Sequence, residues 1–488
     1  MKKLIKYFLP VVVLFSTISC TDYVDNLNED PDQLIDSDAK NLFQAVELGN
    51  QFFQTSSVTR TAMIWLNQAN GEDRQYVALN NWNNSVAAEF DDSWNNAYVN
   101  CLTQSRLVQQ KALAALNPRF AGAAQVLEAN CVGTLTQLWG DIPYSQFNTD
   151  GSVLTPVFDK QIDVYAALQI LLDKAIVNLS ATTGTGISTS KDIYYGGDAS
   201  RWKKLAYSLK ARYYLHVKNY PAAKANAILG INSANDDFIA KFGNTIGQNF
   251  NPYYDFLTNR DSYMSGDSYA ARLLDASTTQ YRGNSKTIEE ARFNFIYDTD
   301  GNYFAPYELN LYSSDFGYAY GTNNGRFGND SNMPLVSYGE MLLIIAEADA
   351  RTSFASGLSS YNNYRALLNT GYSIGVNNLG YGGLAYSYLP YVTADFAAGG
   401  MENPTTLTNT NALIREIYQE RYVYFIGNFE SFTDYGRTNN AAQIQLKPSI
   451  SGSPQRFIYP QVEINSNAAN VPSPLPNVNL KTTVNLIP

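Results

Sequence analysis

The chain has 488 residues, which is enough for two or three average domains or for one elaborated domain with a large core. Its 34 basic and 44 acidic residues give a net charge of −10, so it lacks the basic character that a nucleic-acid partner requires. The single histidine, His216, argues against a Ser-His-Asp triad and against a multi-histidine zinc site. We therefore predict no catalytic residue, no cofactor and no metal site.

The first residues of the chain predict a secretory signal peptide, residues 1–19. Three lysines precede an apolar run at residues 8–15. That run is shorter than the roughly 20 residues that a membrane-spanning helix needs, so we interpret it as a segment that is removed rather than as an anchor.

Cys20 lies at the predicted cleavage point and resembles the lipidated cysteine of a bacterial lipobox. Residues 20–38 are acidic and polar, and they are predicted to be a lipidated N-terminus and tether. Thr17 departs from the lipobox pattern, which usually has Leu there. The alternative is an ordinary signal peptide with a coincidental cysteine.

Amphipathic periodicity predicts a mainly α fold built from helical hairpins, with few short strands. The hairpins would stack as in tetratricopeptide repeats, although no strict period runs along the chain. Two irregular insertions rich in Tyr, Asn and Gly interrupt the pattern, at about 230–334 and 371–400. The main predicted helices are residues 39–54, 60–69, 93–116, 119–138, 159–179, 198–229 (a hairpin), 337–351, 358–368 and 411–427, with a further short helix near 288–295.

Cys101 and Cys131 lie on either side of the predicted turn at residues 117–118, so a hairpin would place them at similar heights. A disulfide is allowed in an exported protein. Two buried free thiols are the commoner alternative. His216 lies in a basic helix, where we expect a structural or solvent-facing role.

Several motifs follow one another in a distinctive order along the chain. They are Cys20 with the turn at 28–31, Gly140-Asp141-Ile142-Pro143-Tyr144, the spaced set Trp202, Ala206, Leu209 and Arg212, Ala346-Glu347-Ala348, Glu420-Arg421 leading to residues 430–438, and residues 456–460 with Glu463 and Asn467. Together they resemble the SusD/RagB family of surface lipoproteins from Bacteroidetes, particularly its SusD-like branch. Two positions depart from the family pattern, Gly436 for a second Arg and residues 291–293 for an Asp-Pro-Arg-Leu segment, and we interpret both motifs as structural.

The resemblance implies a helical scaffold with four tetratricopeptide-like helix pairs, and residues 39–488 would form a single SusD-like domain. It also implies a lipid-anchored protein of the outer membrane that faces the cell surface. Such a protein caps a SusC-like TonB-dependent transporter, captures a nutrient that is usually a glycan, and is not an enzyme.

The residues of the irregular segments suit a glycan ligand on chemical grounds. Sugars present flat CH faces and many hydroxyls, so a site needs aromatic rings beside amides, carboxylates or arginines. The alternative is that loop tyrosines pack on the scaffold. The candidate ligand-binding residues are Arg74, Tyr76, Trp82 and Asn83 in the first loop and Tyr253, Tyr254, Asp261 and Tyr263 in the second.

Two other functions stay open at this point. A glycoside hydrolase needs two carboxylates about 5 to 10 Å apart, and 44 acidic residues make some such pair inevitable, but no local motif marks one. A peptide-binding scaffold is the other, because part of the family resembles peptide-uptake lipoproteins.

Overall fold

A computed structural model describes the greater part of the chain. The described residues are 38–245, 248–299, 305–312, 325–374, 384–447 and 450–488. The predicted signal peptide, the lipidation at Cys20 and the tether up to residue 37 lie outside them, as do parts of both predicted insertions.

The first half of the described chain is helical, as predicted. Polar caps define several helix starts, because Asp38 and Asp198 accept hydrogen bonds from the first free backbone N–H groups. A π-helical stretch, Asn96–Thr103, joins the fourth and fifth helices. The helices are α1 (Ala39–Thr55), α2 (Ser57–Trp65), α3 (Arg74–Leu79), α4 (Asp91–Asn95), α5 (Gln104–Ala114), α6 (Pro118–Trp139), α7 (Gln161–Leu179), α8 (Ala199–His216) and α9 (Tyr220–Leu229).

The second half alternates short helices with long ones. Ser337 caps its helix by accepting from the backbone N–H of Glu340 at 3.3 Å, at the spacing seen in the sequence. The Glu340 carboxylate does not return the bond, because it pairs with Arg212 instead. The helices are α10 (Pro252–Asn259), α11 (Tyr269–Leu274), α12 (Glu290–Ile296), α13 (Tyr338–Thr352), α14 (Phe354–Leu368), α15 (Thr393–Phe396), α16 (Asn409–Tyr424), α17 (Glu430–Thr438) and α18 (Gln461–Ser466).

The strands are short and pair two by two, which confirms the expectation of few short strands. All five pairs are antiparallel. They are β1 (Asn70–Gly71) with β5 (Met264–Ser265), β2 (Ile142–Pro143) with β3 (Phe158–Asp159), β4 (Phe238–Ala240) with β9 (Met333–Val336), β6 (Thr287–Ile288) with β10 (Ser387–Tyr388), and β7 (Tyr297–Asp298) with β8 (Glu308–Leu309).

Helices that follow one another in the chain pack side by side, and α6 lies at the centre. It contacts α5, α7 and α8, and nearly all of its residues are buried. Gly133 permits the approach of α8, because a Cβ there would lie 2.0 Å from the Tyr213 hydroxyl. That hydroxyl instead donates to the Ala129 carbonyl oxygen at 2.7 Å. The mainly helical fold is thereby confirmed.

Six short helices were not predicted, α3, α10, α11, α15, α17 and α18. They are too short to show a long apolar period, and each packs a few buried side chains against the scaffold. The suggested disulfide is wrong, since Cys101 and Cys131 are buried free thiols. The Cys131 thiol donates to the Ala97 carbonyl oxygen at 3.4 Å.

The motif residues of the family pattern lie in a buried network of ion pairs. Arg212 bonds Glu340, and Arg437 bonds both Glu347 and Asp434. Burial alone would raise the pKa of Glu347, but Arg437, Arg421 and the Tyr418 hydroxyl together outweigh it and lower that pKa to about 2. His216 is buried between Tyr165 and Glu430, so its role is structural.

Both departures from the family pattern have a structural place. A Cβ at Gly436 would lie 2.4 Å from Asn485 Nδ2. The C-terminal segment therefore occupies the space that a larger side chain at position 436 would need. Arg292, in the other departing motif, is buried and bonds Glu420 at 2.9 Å. These contacts agree with the interpretation of both motifs as structural.

Candidate ligand-binding face

The first loop contains residues 74–83, and the second contains residues 253–263. The two loops are almost 200 residues apart in sequence and meet through the β1–β5 pair. Asn70 pairs with Ser265 and Gly71 with Met264. The Glu72 N–H extends the contact by donating to the Tyr263 carbonyl oxygen at 2.9 Å. Gly71 is required there, because a Cβ would lie 1.8 Å from the Tyr76 carbonyl oxygen. The pairing therefore sets the two loops side by side.

Three aromatic rings cluster where the loops meet. The Tyr76 centroid lies 4.8 Å from Phe256 and 5.8 Å from Tyr263, and the two latter rings are 5.9 Å apart. Tyr76 is 7% exposed, whereas Phe256 and Tyr263 are half-buried. Tyr76 thus forms the base of the cluster, and the other two rings reach the surface.

Three arginines lie over these rings. The Arg60 guanidinium is 4.4 Å from the Phe256 centroid, Arg260 is 5.4 Å from the same ring, and Arg74 is 5.8 Å from Tyr263. Such placement matches the attraction of a cation to a ring face. Arg60 Nε also donates to the Tyr76 hydroxyl at 3.0 Å. We call this surface the aromatic–arginine face, defined by Arg60, Arg74, Tyr76, Phe256, Arg260 and Tyr263.

The structure brings half of the predicted ligand-binding residues to this face. Arg74, Tyr76 and Tyr263 belong to it, and Asp261 is exposed beside it in the loop between Arg260 and Tyr263. Sequence reasoning missed three members, Arg60, Phe256 and Arg260. The spacing of Phe256 and Arg260, four residues apart at the end of α10, was the available signal.

Trp82 and Tyr253 do not offer ring faces to a ligand, and this corrects the sequence prediction. Trp82 is 1% exposed, and its Nε1 donates to Asn479 Oδ1 at 3.1 Å. Tyr253 is fully buried, with its hydroxyl 3.0 Å from Met63 Sδ. Both rings pack on the scaffold, which agrees with the alternative interpretation that loop aromatics are structural.

Two further predicted residues also lie apart from the aromatic–arginine face. Tyr254 is 4% exposed and its ring lies 5.3 Å from that of Phe250. Asn83 is exposed, but its amide nitrogen donates to the Ser451 carbonyl oxygen at 3.0 Å. Its side chain thus ties the first loop to the C-terminal segment.

A cleft of about 590 Å³ lies between β4, β9, α12 and the end of α16. Asp237 lines it and accepts hydrogen bonds from the Tyr372 hydroxyl at 2.6 Å and the Tyr338 N–H at 2.7 Å. Burial raises the pKa of Asp237 to about 7. Arg326 also lines the cleft, and among the described residues it forms no ion pair.

The described residues contain no cluster of three or more His, Cys, Asp or Glu side chains able to hold a metal ion. Their helices include none that combines the length and apolarity needed to cross a membrane. The arrangement at the aromatic–arginine face offers ring surfaces, guanidinium donors and a neighbouring carboxylate, which are groups for binding rather than for covalent chemistry.

The fold is a helical scaffold, and the aromatic–arginine face combines residues of α2, α3 and the segment from α10 to β5. Residues 26–460 match the family described as "Starch-binding associating with outer membrane". The chain belongs to this SusD-like family, whose members are associated with the outer membrane.

Solved structures share the fold at low sequence identity. A SusD/RagB family protein from Bacteroides thetaiotaomicron is 20% identical, with a TM-score of 0.67 over 92% of this chain and 99% of that one. A chitin-binding SusD homologue from Flavobacterium johnsoniae is 14% identical, with a TM-score of 0.66 over 92% and 98%. A SusD homologue from Bacteroides uniformis is 19% identical, with a TM-score of 0.63 over 92% and 99%. No curated protein is similar to this sequence.

Proposed function

We propose that this chain captures a glycan or oligosaccharide at the aromatic–arginine face and delivers it to a SusC-like TonB-dependent transporter of the outer membrane. The observation that carries the proposal is the meeting of two distant loops to place Phe256 and Tyr263 beneath three arginines. The family's description as starch-binding and the chitin-binding homologue support a glycan as the ligand class.

The chemistry of the face suits a sugar ring. A pyranose packs its CH face against the exposed part of a half-buried aromatic ring, and its hydroxyls accept hydrogen bonds from the guanidinium N–H groups that lie over the rings. Phe256 and Tyr263 provide the rings, and Arg74 and Arg260 are exposed beside them. The exposed Asp261 carboxylate can accept from a sugar hydroxyl.

A glycan array that includes starch and chitin oligosaccharides, followed by titration calorimetry, tests this proposal. Tyr263→Ala is expected to weaken binding of the best glycan about tenfold, because it removes a stacking surface. Tyr207→Ala is the matched control, since Tyr207 is half-buried on α8. No bound glycan, or equal loss in both variants, would reject the face as the site.

Residues 1–19 are proposed to be removed and Cys20 to be lipidated, so that residues 39–488 stand at the cell surface as one domain. Metabolic labelling with palmitate should label the full chain and not Cys20→Ala. Gentle extraction from the membrane should recover a large β-barrel transporter together with the protein. Absence of that barrel from repeated extractions would contradict delivery to a transporter.

The protein is proposed to bind without turnover. Incubation of the purified protein with the bound glycan should leave its chain length unchanged by mass spectrometry. Shorter products that form at the same rate in Tyr263→Ala, although its glycan binding is weakened, would identify a contaminant. Products whose rate falls together with binding would show a glycoside hydrolase.

A peptide is the second candidate ligand, and the cleft beside β9 favours it. Arg326 has no ion-pair partner among the described residues, so its guanidinium is available for a peptide carboxylate. Binding of peptides without glycans, lost in Arg326→Gln and kept in Tyr263→Ala, would replace the glycan proposal.

A further inference from the structure

A second pocket, of about 430 Å³, lies where the ends of three helices meet the C-terminal segment. Lys218 follows α8, Arg351 lies in the last turn of α13, and Asn439 follows α17. Lys481 comes from the C-terminal segment. We call it the basic pocket, defined by Lys218, Tyr220, Arg351, Asn439 and Lys481.

Each cation of the basic pocket is held by a neutral oxygen. Lys218 Nζ donates to the Ile487 carbonyl oxygen, and Lys481 Nζ donates to Asn439 Oδ1 at 3.0 Å. Arg351 donates to the Tyr418 hydroxyl at 2.6 Å. Among the described residues, none of these three cations forms an ion pair with a carboxylate.

Two basic residues on the same helices are paired with carboxylates, Lys210 with Asp173 and Lys224 with Asp349. Arg437 also lines the pocket, but Glu347 and Asp434 neutralise it. Pro488 lines the pocket as well, and among the described residues no carboxylate lies within ion-pair distance of Lys218, Arg351 or Lys481. The basic pocket therefore keeps an excess of positive charge although the whole chain has a net charge of −10.

Burial, and then the neighbouring Arg437, Arg351 and Lys481, lower the pKa of Lys218, while Glu347 opposes them. Like charges held together in a concave site raise the local concentration of counter-ions. An anion bound in the pocket would reduce the repulsion between these cations.

We infer that the basic pocket binds a phosphate or sulfate ester group. A group with up to two negative charges and three terminal oxygens can engage cations that approach from three sides. A carboxylate has only two oxygens, so it would leave one of the three cations without a direct contact. The guanidinium of Arg351 lies 5.0 Å from the Tyr220 ring centroid, which holds it in place.

The size of the basic pocket indicates that the anionic group belongs to a larger molecule. A volume of about 430 Å³ is within the range of small-molecule sites and exceeds a single oxyanion. The ester could come from a soluble phosphorylated or sulfated sugar, or from the head group of an anionic lipid in the membrane. Both present the same chemistry to Lys218, Arg351 and Lys481.

The test uses the full chain carrying Cys20→Ala, so that no lipid anchor drives membrane binding. Glucose 6-phosphate and glucose 6-sulfate are titrated by calorimetry, with glucose as the uncharged reference. Vesicles of phosphatidic acid, whose head group is a phosphate monoester, form the lipid arm, with phosphatidylcholine vesicles as reference. Binding of the charged probe in either arm, weakened about tenfold by Lys218→Gln combined with Lys481→Gln, is the expected result.

Lys191→Gln combined with Lys203→Gln is the matched control. These lysines also bond neutral oxygens, Gln44 Oε1 at 3.3 Å and Ser180 Oγ at 3.5 Å, and they lie outside the basic pocket. The double control changes net charge equally, and its binding should equal that of the parent. Equal loss in the control would show a general charge effect and overturn the inference.

Two other results decide whether the basic pocket is the binding site. Binding of neither charged probe by the parent would overturn the inference, as would binding that the basic-pocket double variant retains. If that double variant unfolds, by circular dichroism, the single Lys481→Gln variant replaces it, with the same loss expected and Lys203→Gln alone as control. The inference is independent of the glycan proposal, because Tyr263→Ala should leave binding of the charged probes unchanged.

Discussion

Arginines behave differently in the interior of the protein and at the aromatic–arginine face. Inside, Arg437 is fully buried and bonds Glu347 and Asp434, each at 2.7 Å. At the face, Arg60 and Arg260 lie over the Phe256 ring and form no ion pair among the described residues. An interior arginine is therefore structural, because carboxylates pair with its charge. An arginine of the aromatic–arginine face lies against a ring and keeps its donors available to a ligand.

The physical reason lies in the cost of removing charge from water. A buried guanidinium persists when carboxylates and hydrogen bonds compensate its lost hydration. At the surface, water supplies that compensation, and a ring face holds the group without consuming its donors. The donors of Arg74 and Arg260 therefore stay largely accessible to an incoming ligand.

The largest expected effect comes from breaking an interior pair. Arg437→Met should lower the free energy of unfolding by about 3–5 kcal/mol, because it leaves Glu347 buried without its partner. Urea denaturation measures this loss. Arg260→Met, the same substitution at the exposed face, should change stability by less than about 0.5 kcal/mol. Similar losses in the two variants would remove the distinction between the two regions.

The next effect concerns an acid that has no cation partner. The folded-state pKa of Asp237 is about 7, above its usual 3.8, so the folded protein holds a proton that the unfolded chain releases. Stability contributed by this proton is present at low pH and is lost as pH rises towards about 7. Asp237→Asn keeps the acceptor for Tyr372 and has no proton to lose.

We therefore expect Asp237→Asn to match the parent near pH 4 and to exceed its stability by about 4 kcal/mol near pH 8, since the shift from 3.8 to about 7 is about three pKa units at about 1.4 kcal/mol each. Urea denaturation at several pH values measures the difference. A difference that is constant across this range would mean that Asp237 titrates normally in the folded protein.

A smaller effect is expected for a face arginine, and it concerns binding rather than stability. Arg74→Ala should weaken glycan binding about threefold to tenfold, through the loss of guanidinium donors. It should leave the free energy of unfolding nearly unchanged, because the Arg74–Asp73 pair is exposed and such pairs contribute little. Calorimetry and urea denaturation on one preparation would separate the two readouts, and a stability loss without a binding loss would make Arg74 a structural residue.

The smallest expected effect is none at all. Cys101 and Cys131 are free thiols in the interior, so a reducing agent should not shift the thermal midpoint. Mass spectrometry after alkylation in denaturant, without reduction, should find both thiols modified. A midpoint that falls on reduction would instead reveal a disulfide.

Sequence patterns predicted the long helices well because each carries an apolar stripe of several turns. The predicted helix at 159–179 matches α7 within two residues, and 119–138 matches α6 within one. Short helices such as α3 and α10 were missed, because fewer than three turns give too little periodicity to distinguish them from a loop.

The candidate site was predictable in composition and not in geometry. Arg74, Tyr76 and Tyr263 were identified because aromatic and polar residues alternate in irregular segments. Contact with Phe256 and with the face arginines separates these three residues from Trp82 and Tyr253, which pack on the scaffold. No local pattern marks which ring of such a segment turns inward. Arg60 was missed because it lies in a helix that looked purely structural.

By itself, the sequence determined the helical class, the family and the residue types that suit a sugar, since these depend on periodicity, motif order and composition along the chain. The tertiary structure alone decided that β1 and β5 join two distant loops and that Arg60 reaches their rings. It also decided that Lys218, Arg351 and Lys481 converge without an ion pair to a carboxylate among the described residues. These features depend on contacts between residues far apart in sequence, whose positions are set by packing of the whole scaffold rather than by any local pattern.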